Sequence, residues 1–180
     1  ERLNYSMNKI LDAFVTNTQF GEIESHSPVA VLPLFRSDIP TLEYITLDVA
    51  LKDDIVEINE SDDEGTVPEL HLANNSDLNV LLLDGEELEG AKQNRVLNTT
   101  IIAVARTHIT IPVSCTESGR WSYVSRKFRS SRSVMPRGVR ESKKRSVDAS
   151  LRSRKTYRSN QSEVWSGVED ILSMSDSQSP

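Results

Sequence analysis

Short apolar stretches separated by turn residues fill the middle of the chain, from about residue 55 to residue 115. In HITIPVSC (108–115) apolar and polar residues alternate, and this period of two is typical of a half-buried strand. The run VLLL (80–83) is apolar on both faces, as a central strand would be. Strands are therefore predicted over residues 29–35, 55–60, 67–73, 78–83, 95–105 and 108–114.

Helical periodicity occurs near both ends of the chain, and a further short helix is predicted between them. Apolar residues spaced i, i+3, i+4 and i+7 predict a helix near the N-terminus, and a similar stripe predicts one over 161–173. The short helix is predicted over 46–54, where Thr46 is a candidate N-cap and Asp48 complements the helix dipole. The stripe residues are Met7, Ile10, Leu11 and Phe14 in the first helix, and Val164, Val168, Ile171 and Leu172 in the last.

These elements predict an α+β fold, an antiparallel β-sandwich-like core with short flanking helices. Many short strands at close spacing with turn signals favour this arrangement, and a small β-barrel is the alternative topology. A length of 180 residues fits a single domain over residues 1–180. Within it, residues 120–158 are interpreted as a basic peripheral segment and residues 161–173 as a C-terminal helix.

Charge is distributed unevenly along the chain. Residues 1–90 hold 20 acidic and 4 basic side chains, whereas residues 91–180 hold 7 acidic and 17 basic ones. This asymmetry indicates either two halves that pair with each other or a basic segment that binds an anionic partner. Nucleic acid is a partner to consider for residues 126–158, but aromatic residues are sparse there and no recognition motif is present. A solvated arm, or a helix against the acidic half, is favoured.

The composition disfavours several classes of protein. No apolar run approaches the roughly 18–20 residues of a membrane span, so no membrane association is expected. Cys115 is the only cysteine, which excludes an intramolecular disulfide and disfavours a thiolate zinc site. The three histidines have no paired spacing, and neither a metal nor a cofactor is predicted. A reducing cytoplasm is the expected compartment.

A dense polar block follows the central apolar run. The stretch LLLDGEELEGAKQNRVLNTT (81–100) contains Asp84-Gly85, a hairpin signal, and its polar residues continue well beyond the length that a tight turn needs. Residues 92–95 (KQNR) offer many hydrogen-bond donors for a phosphate, a carboxylate or an amide edge. The block therefore forms either an internal ion-pair network that braces the turn or the lining of a ligand site.

Asn98 and Cys115 are predicted to point into the core. The parity that buries Val96, Ile102 and Val104 also turns Asn98 inward, where an unpaired amide would cost about 1–3 kcal/mol. Asn98 is therefore expected to tie down a neighbouring loop or to orient a ligand. Cys115 extends the inward face of its strand, which favours a small buried thiol over a nucleophile, and no His lies at an identifiable partner position.

The polar block and the segment after it carry a family resemblance. LLLDGEELEGAKQNRVLNTT followed by ITIPVSCTESGRW, with TLDVAL, VEINE, VPEL and QSEVW at similar spacing, resembles the domain family named for its association with ADP-ribosylglycohydrolases and with rhodanese/phosphatase-superfamily proteins. The resemblance extends from about Thr46 to the C-terminal helix. The family pattern continues past the final SP, so we expect this chain to lack a C-terminal portion of the domain.

The resemblance implies a set of motif residues but no established reaction. Because the family is named for genomic association with ADP-ribose chemistry, the leading hypothesis is a ligand-binding or catalytic domain for ADP-ribose-like or other nucleotide-derived molecules. Glu86 or Glu87 would act as a general base if hydrolysis occurs. The predicted ligand-binding residues are Lys92 and Arg95 for phosphate, Gln93, Asn94 and Asn98 for the base or ribose, and Glu117 and Arg120 from the second block.

The alternative hypothesis is a non-enzymatic interaction module. In that case the polar block is structural, and the basic segment contacts a protein or nucleic-acid partner. Replacing Lys92 or Arg95 separates the two hypotheses, because ligand binding is lost in the first and only thermal stability is lost in the second. Both require the polar block to converge in space with the corner at Glu117 and Trp121.

Overall fold

The computed structural model describes residues 9, 11–37, 42–60, 68–119, 122–125 and 127–175. They form two compact units, within Glu1–Leu42 and Glu43–Pro180. The predicted stripe residues Met7 and Ile10 lie outside the described residues. None of the helices described has the length and apolar character needed to cross a bilayer.

The N-terminal unit contains a helix and two small antiparallel sheets. Residues 11–16 form helix α1. Strand β1 (Gln19–Phe20) pairs with β4 (Leu34–Phe35), and β2 (Glu24–His26) pairs with β3 (Val29–Val31). The strand predicted over 29–35 is therefore two strands in different sheets. The break falls at Leu32 and Pro33, where the proline has no N–H to continue a ladder.

Two sheets form the framework of the C-terminal unit. Their strands are β5 (Ile45–Thr46), β6 (Val56–Glu60), β7 (Glu69–Asn74), β8 (Val80–Leu82), β9 (Glu86–Gly90), β10 (Arg95–Leu97), β11 (Ile101–Ala103), β12 (Thr107–Cys115) and β13 (Phe128–Val134). A six-stranded antiparallel sheet has the order β13-β9-β10-β12-β7-β6. A three-stranded sheet has the order β11-β8-β5, in which β8 and β5 are parallel.

The six-stranded sheet is strongly curled. In a flat sheet its two edge strands, β13 and β6, would lie about 24 Å apart, since neighbouring strands are spaced at about 4.8 Å. The Lys127 ammonium, immediately before β13, lies 2.9 Å from Glu57 Oε2 in β6. No ladder joins these two edges in the described part of the chain, so the sheet approaches a half-barrel without closing.

Helices α2 (Leu47–Lys52), α3 (Arg137–Arg154) and α4 (Gln161–Met174) accompany these sheets. Mostly antiparallel sheets with flanking helices confirm the predicted α+β class with a β-rich core. Asp48 lies in the first turn of α2 and Lys52 in its last, where both charges complement the helix dipole. Thr46 occupies the predicted N-cap position, but its side chain makes no capping hydrogen bond.

The main core combines residues of both sheets with α2. Strand β7 shows the alternation that builds it, because Leu70 and Leu72 are buried whereas Glu69 and His71 are exposed. From α2, Leu47 joins the same cluster. Burying one such leucine stabilises the fold by about 1.5–3 kcal/mol.

A second hydrophobic cluster attaches α3 and α4 to the other face of strand β10. Val96 belongs to this cluster whereas Leu97 belongs to the main core, since successive strand residues point to opposite faces. Val139 of α3 and Val164 of α4 pack with Val96. The helices approach closely at Gly167, where a Cβ would lie 3.0 Å from a methyl carbon of Val139.

Residues 95–105, predicted as one strand, are divided between the two sheets. β10 ends at Leu97 and β11 begins at Ile101. Asn98 is buried as predicted, but Val104 is 53% exposed because the parity of β10 does not continue past the break. The prediction for Val104 is therefore wrong.

The turn at Asp84-Gly85 joins the two sheets and does not form a hairpin. β8 pairs with β11 and β5, whereas β9 pairs with β10 and β13. Gly85 has the positive φ of 88° that the turn signal indicates. The hairpin prediction is wrong because a local turn sequence fixes the backbone conformation and leaves the choice of strand partners to the tertiary structure.

Strands β9 and β13 fall in segments for which no strand is predicted. Glutamate is depleted in strands, and EELEG has no clear alternation. Ladders to β10 and β13 on its two sides override that weak propensity. For the basic segment, the sequence analysis favours a solvated arm or a helix. The structure shows the edge strand β13 followed by helix α3.

The basic segment pairs with the acidic first half of the chain, one of the two interpretations of the charge asymmetry. Among the residues that the structure describes, four ion pairs join the two regions. They are Lys127–Glu57, Arg129–Glu89, Arg132–Asp48 and Lys143–Asp84. The first three are largely exposed, and the fourth has a fully buried cation.

Candidate functional site

The connection between β9 and β10 is a tight corner in close contact with the start of β13. Gly90 has a φ of 133°, and a Cβ there would lie 2.6 Å from the carbonyl oxygen of Lys127. The backbone N–H of Gly90 donates to Asn94 Oδ1 at 3.2 Å. The glycine therefore permits the close approach of another strand.

Residues of the polar block converge on Glu117, which is 7% exposed. The Asn94 backbone N–H donates to Glu117 Oε2 at 2.8 Å, and its side-chain Nδ2 donates to Oε1 at 3.2 Å. Gln93 Nε2 donates to the Glu117 carbonyl at 3.0 Å. Two segments 23 residues apart in sequence are thus joined at one point.

Lys92 and Tyr123 complete this corner. The Lys92 ammonium lies 5.2 Å from the centroid of the Tyr123 ring, within the range of a cation–π interaction. Tyr123 is 54% exposed, and its segment is held by the Val124 N–H, which donates to the Ala91 carbonyl. We call Lys92, Gln93, Asn94, Glu117 and Tyr123 the Glu117 corner.

Arg95 lies fully buried at the start of β10. Its Nη2 donates to both carboxylate oxygens of Glu60, at 3.3 and 3.2 Å, and its Nη1 contacts the Cys115 sulfur. The Arg95 Nε is buried and has no hydrogen-bond partner among the described residues. Burial raises the pKa of the Cys115 thiol, although the nearby Arg95 acts in the opposite direction. Cys115 is therefore a buried thiol, as predicted.

Asn98 binds two neighbouring segments from inside the protein. Its Oδ1 accepts a hydrogen bond from Ser114 Oγ at 2.7 Å, and its Nδ2 donates to the Tyr157 carbonyl at 3.0 Å. The amide thus ties β12 and the connection between α3 and α4 to the end of β10. The sequence predicts that Asn98 either ties down a neighbouring loop or orients a ligand. These contacts are those of a side chain that ties down a loop.

Lys143 is a buried polar residue that the sequence reasoning missed. Its Nζ donates to Asp84 Oδ1 and, at 2.7 Å, to the Leu97 carbonyl. Burial lowers the pKa of Lys143, and Asp84 acts against that shift. The spacing of Val139, Lys143 and Val147 at i, i+4 and i+8 was the available signal, because it places the lysine on the apolar stripe of α3.

A family model for the ARPP-1 domain (ARG and Rhodanese-Phosphatase-superfamily-associated Protein domain) matches residues 17–180. The chain belongs to this family. Searches among curated proteins and among solved structures give no match. The predicted resemblance is therefore confirmed, and for the ARPP-1 domain it extends further toward the N-terminus than Thr46.

The two candidate catalytic residues of this ARPP-1 domain lie on opposite faces of β9. Glu86 accepts a hydrogen bond from the Leu83 N–H at 2.8 Å, and Glu87 is adjacent to Val96 in the ladder. Burial raises the pKa of both carboxyl groups, and the next largest influence on the pKa differs between them. The Leu83 N–H lowers the pKa of Glu86, whereas the charge of Glu89 raises that of Glu87 further.

The predicted site residues thus fall into separate groups in the ARPP-1 domain. Gln93, Asn94 and Glu117 are in contact, and Lys92 joins them through the same loop. Arg95 and Asn98 each have their own buried partners. Arg120, like Trp121, lies outside the described residues. No group of three His, Cys, Asp or Glu side chains among the residues described is arranged to hold a metal ion.

Proposed function

We propose that the chain binds a nucleotide-derived molecule of the ADP-ribose type at the Glu117 corner. The observation that supports this is the ammonium of Lys92 beside the exposed ring of Tyr123. A cation attracts phosphate, and an exposed aromatic ring offers a surface on which a base can stack. The family's association with ADP-ribosylglycohydrolases, recorded in its name, supports the choice of ligand class.

Within this proposal, the amides of Gln93 and Asn94 orient the base or the ribose. Their contacts with Glu117 restrict their rotamers, so less entropy is lost when a ligand binds. Arg95 and Asn98 do not contact the ligand in this proposal, since their polar groups bind other parts of the protein. Arg120 is a further candidate contact from its place in the sequence.

Binding at this corner requires no general base. Because Glu86 and Glu87 point to opposite faces of one strand, they cannot serve a single reacting centre as a pair. A raised pKa makes each carboxylate a stronger base, so hydrolysis with one of them remains a hypothesis. We therefore propose ligand binding, without catalysis, as the function.

Titration calorimetry and thermal shift with ADP-ribose, NAD and AMP test the proposal. Tyr123→Ala is expected to weaken binding by about tenfold, the loss of one stacking contact. Lys92→Met should weaken the binding of the phosphate-bearing ligands and leave the binding of adenosine unchanged. Tyr44→Ala, which removes another half-exposed ring, is the matched control. Absence of both heat and thermal shift across the panel would exclude this function.

A second candidate function is an interaction module that contacts nucleic acid through the basic segment. Arg137, Arg152 and Arg154 of α3 are exposed and form no ion pair with the residues that the structure describes. Their charges are therefore available to neutralise phosphates. A gel shift with single- and double-stranded RNA and DNA at low salt tests this candidate, and no shift for any of them excludes it.

A further inference from the structure

A cleft outside the Glu117 corner lies between strands β7 and β12 and the connection from α3 to α4. Its volume is about 320 Å³. Small-molecule sites have volumes of roughly 300–1,000 Å³, so the cleft matches a ligand of modest size. The strands contribute Glu69, Thr110 and Pro112, and the connection contributes Lys155, Tyr157 and Arg158.

The connection brings two positive charges to this cleft. Lys155 and Arg158 are exposed, and neither forms an ion pair with any residue in the described ranges. Lys144, in contrast, is paired with Asp148 on the helix surface. The cleft also has Glu69 on its strand side, so one carboxylate opposes two cations. The local charge favours an anion.

Buried polar groups of the sheet hold the connection in one conformation. Lys155 has a φ of 59°, in the left-handed region, where it ends α3. Asn98 Nδ2 donates to the Tyr157 carbonyl at 3.0 Å. The Ser114 and Ser159 hydroxyls are hydrogen-bonded to each other. The two cations are thus carried on a segment that is ordered before any ligand arrives, which reduces the entropic cost of binding.

We propose that this cleft binds a phosphomonoester of a small sugar or nucleoside. The phosphoryl group lies between Lys155 and Arg158, where charge-assisted hydrogen bonds from an ammonium and a guanidinium neutralise it. The Thr110 hydroxyl adds a neutral donor on the strand side. Tyr157, which is 44% exposed, supplies an aromatic surface for the organic part of the ligand. This assignment is independent of the function proposed for the Glu117 corner.

Calorimetry with ribose 5-phosphate and AMP tests the assignment, with adenosine and inorganic phosphate as reference ligands. The test variant is Lys155→Asn with Arg158→Gln, because Asn tolerates the left-handed backbone at position 155. The matched control is Lys144→Gln with Arg145→Gln, which removes the same charge from exposed positions of α3 that do not line the cleft. Each titration is repeated in a Tyr123→Ala background, so that binding at the Glu117 corner is measured separately.

The test variant is expected to bind both esters at least about tenfold more weakly, because it loses the charge-assisted hydrogen bonds to the phosphoryl group. The control should stay within about twofold of the unmodified chain. Failure of both esters to bind overturns the assignment. Equal losses in the two variants would indicate attraction by net charge alone and also overturn it. Equal affinity for inorganic phosphate and for the esters would exclude an organic ligand.

Discussion

The Arg95 guanidinium donates to both carboxylate oxygens of Glu60, and the two side chains are 0% and 6% exposed. Arg95 begins β10 and Glu60 ends β6, with β12 and β7 between them in the sheet. Curling of the sheet allows the two side chains to meet beside the Cys115 sulfur. A charge pair so deeply buried depends on both partners, since either one alone would be an uncompensated charge.

Replacing Arg95 with Met is therefore expected to lower the free energy of unfolding by about 3–5 kcal/mol, because it leaves Glu60 buried and unpaired. Urea denaturation followed by circular dichroism measures the change. Glu60→Gln combined with Arg95→Met should recover part of the loss, since the double variant buries no unpaired charge. Arg106→Met, which breaks the exposed pair with Asp77, is the control and should change stability little. A stable Arg95→Met chain would contradict the structural role of this pair.

Adjacent lysines of α3 provide a second comparison. Lys143 is fully buried and donates to Asp84 and to the Leu97 carbonyl, whereas Lys144 is half-exposed and paired within the helix. Lys143→Met is expected to cost about 3 kcal/mol, and Lys144→Met at most about 0.5 kcal/mol. The urea midpoints of the two variants, compared at an unchanged m-value, measure these changes in stability. Equal losses of stability in the two variants would show that the buried ion pair contributes nothing.

Glu87→Gln should raise the melting temperature at pH 7 but not at acidic pH. Burial and the charge of Glu89 raise the pKa of Glu87 in the folded state, so the folded protein binds the proton more tightly than the unfolded chain does. The stability that protonated Glu87 contributes is fully present below the pKa of the unfolded chain, about 4.3. It is lost as the pH rises through the higher pKa of the folded protein. Melting curves from pH 4 to pH 8 measure this, and Gln is expected to flatten the slope in that window.

Asn98→Ala is expected to destabilise the fold by about 1–3 kcal/mol, because it removes one hydrogen-bond partner of the Ser114 hydroxyl and the side-chain donor to the Tyr157 carbonyl. Hydrogen exchange of residues 155–160 should accelerate in the same variant, since these contacts hold the connection between α3 and α4. Asn75→Ala, at an exposed position, serves as the control. Unchanged exchange in that connection would show that Asn98 does not fix it.

The strands and helices with strong periodicity were predictable from the sequence. β12 alternates in the expected way from His108 to Val113, and α4 follows its apolar stripe, because each pattern arises within a few neighbouring residues. Burial of Asn98 and Cys115 followed from the same parity. Strand β9 was not predictable, since EELEG becomes a strand only through ladders to β10 and β13.

The sequence by itself determined the α+β class, the polar block and its family, since local periodicity and a contiguous motif need no tertiary information. Only the tertiary structure decided which charges of that block are buried with which partners. Asp84 meets Lys143 across 59 residues, and Arg95 meets Glu60 across 35. Opposite charges attract without regard to sequence position, so the curled sheet and the packing of α3 select the pairs that form.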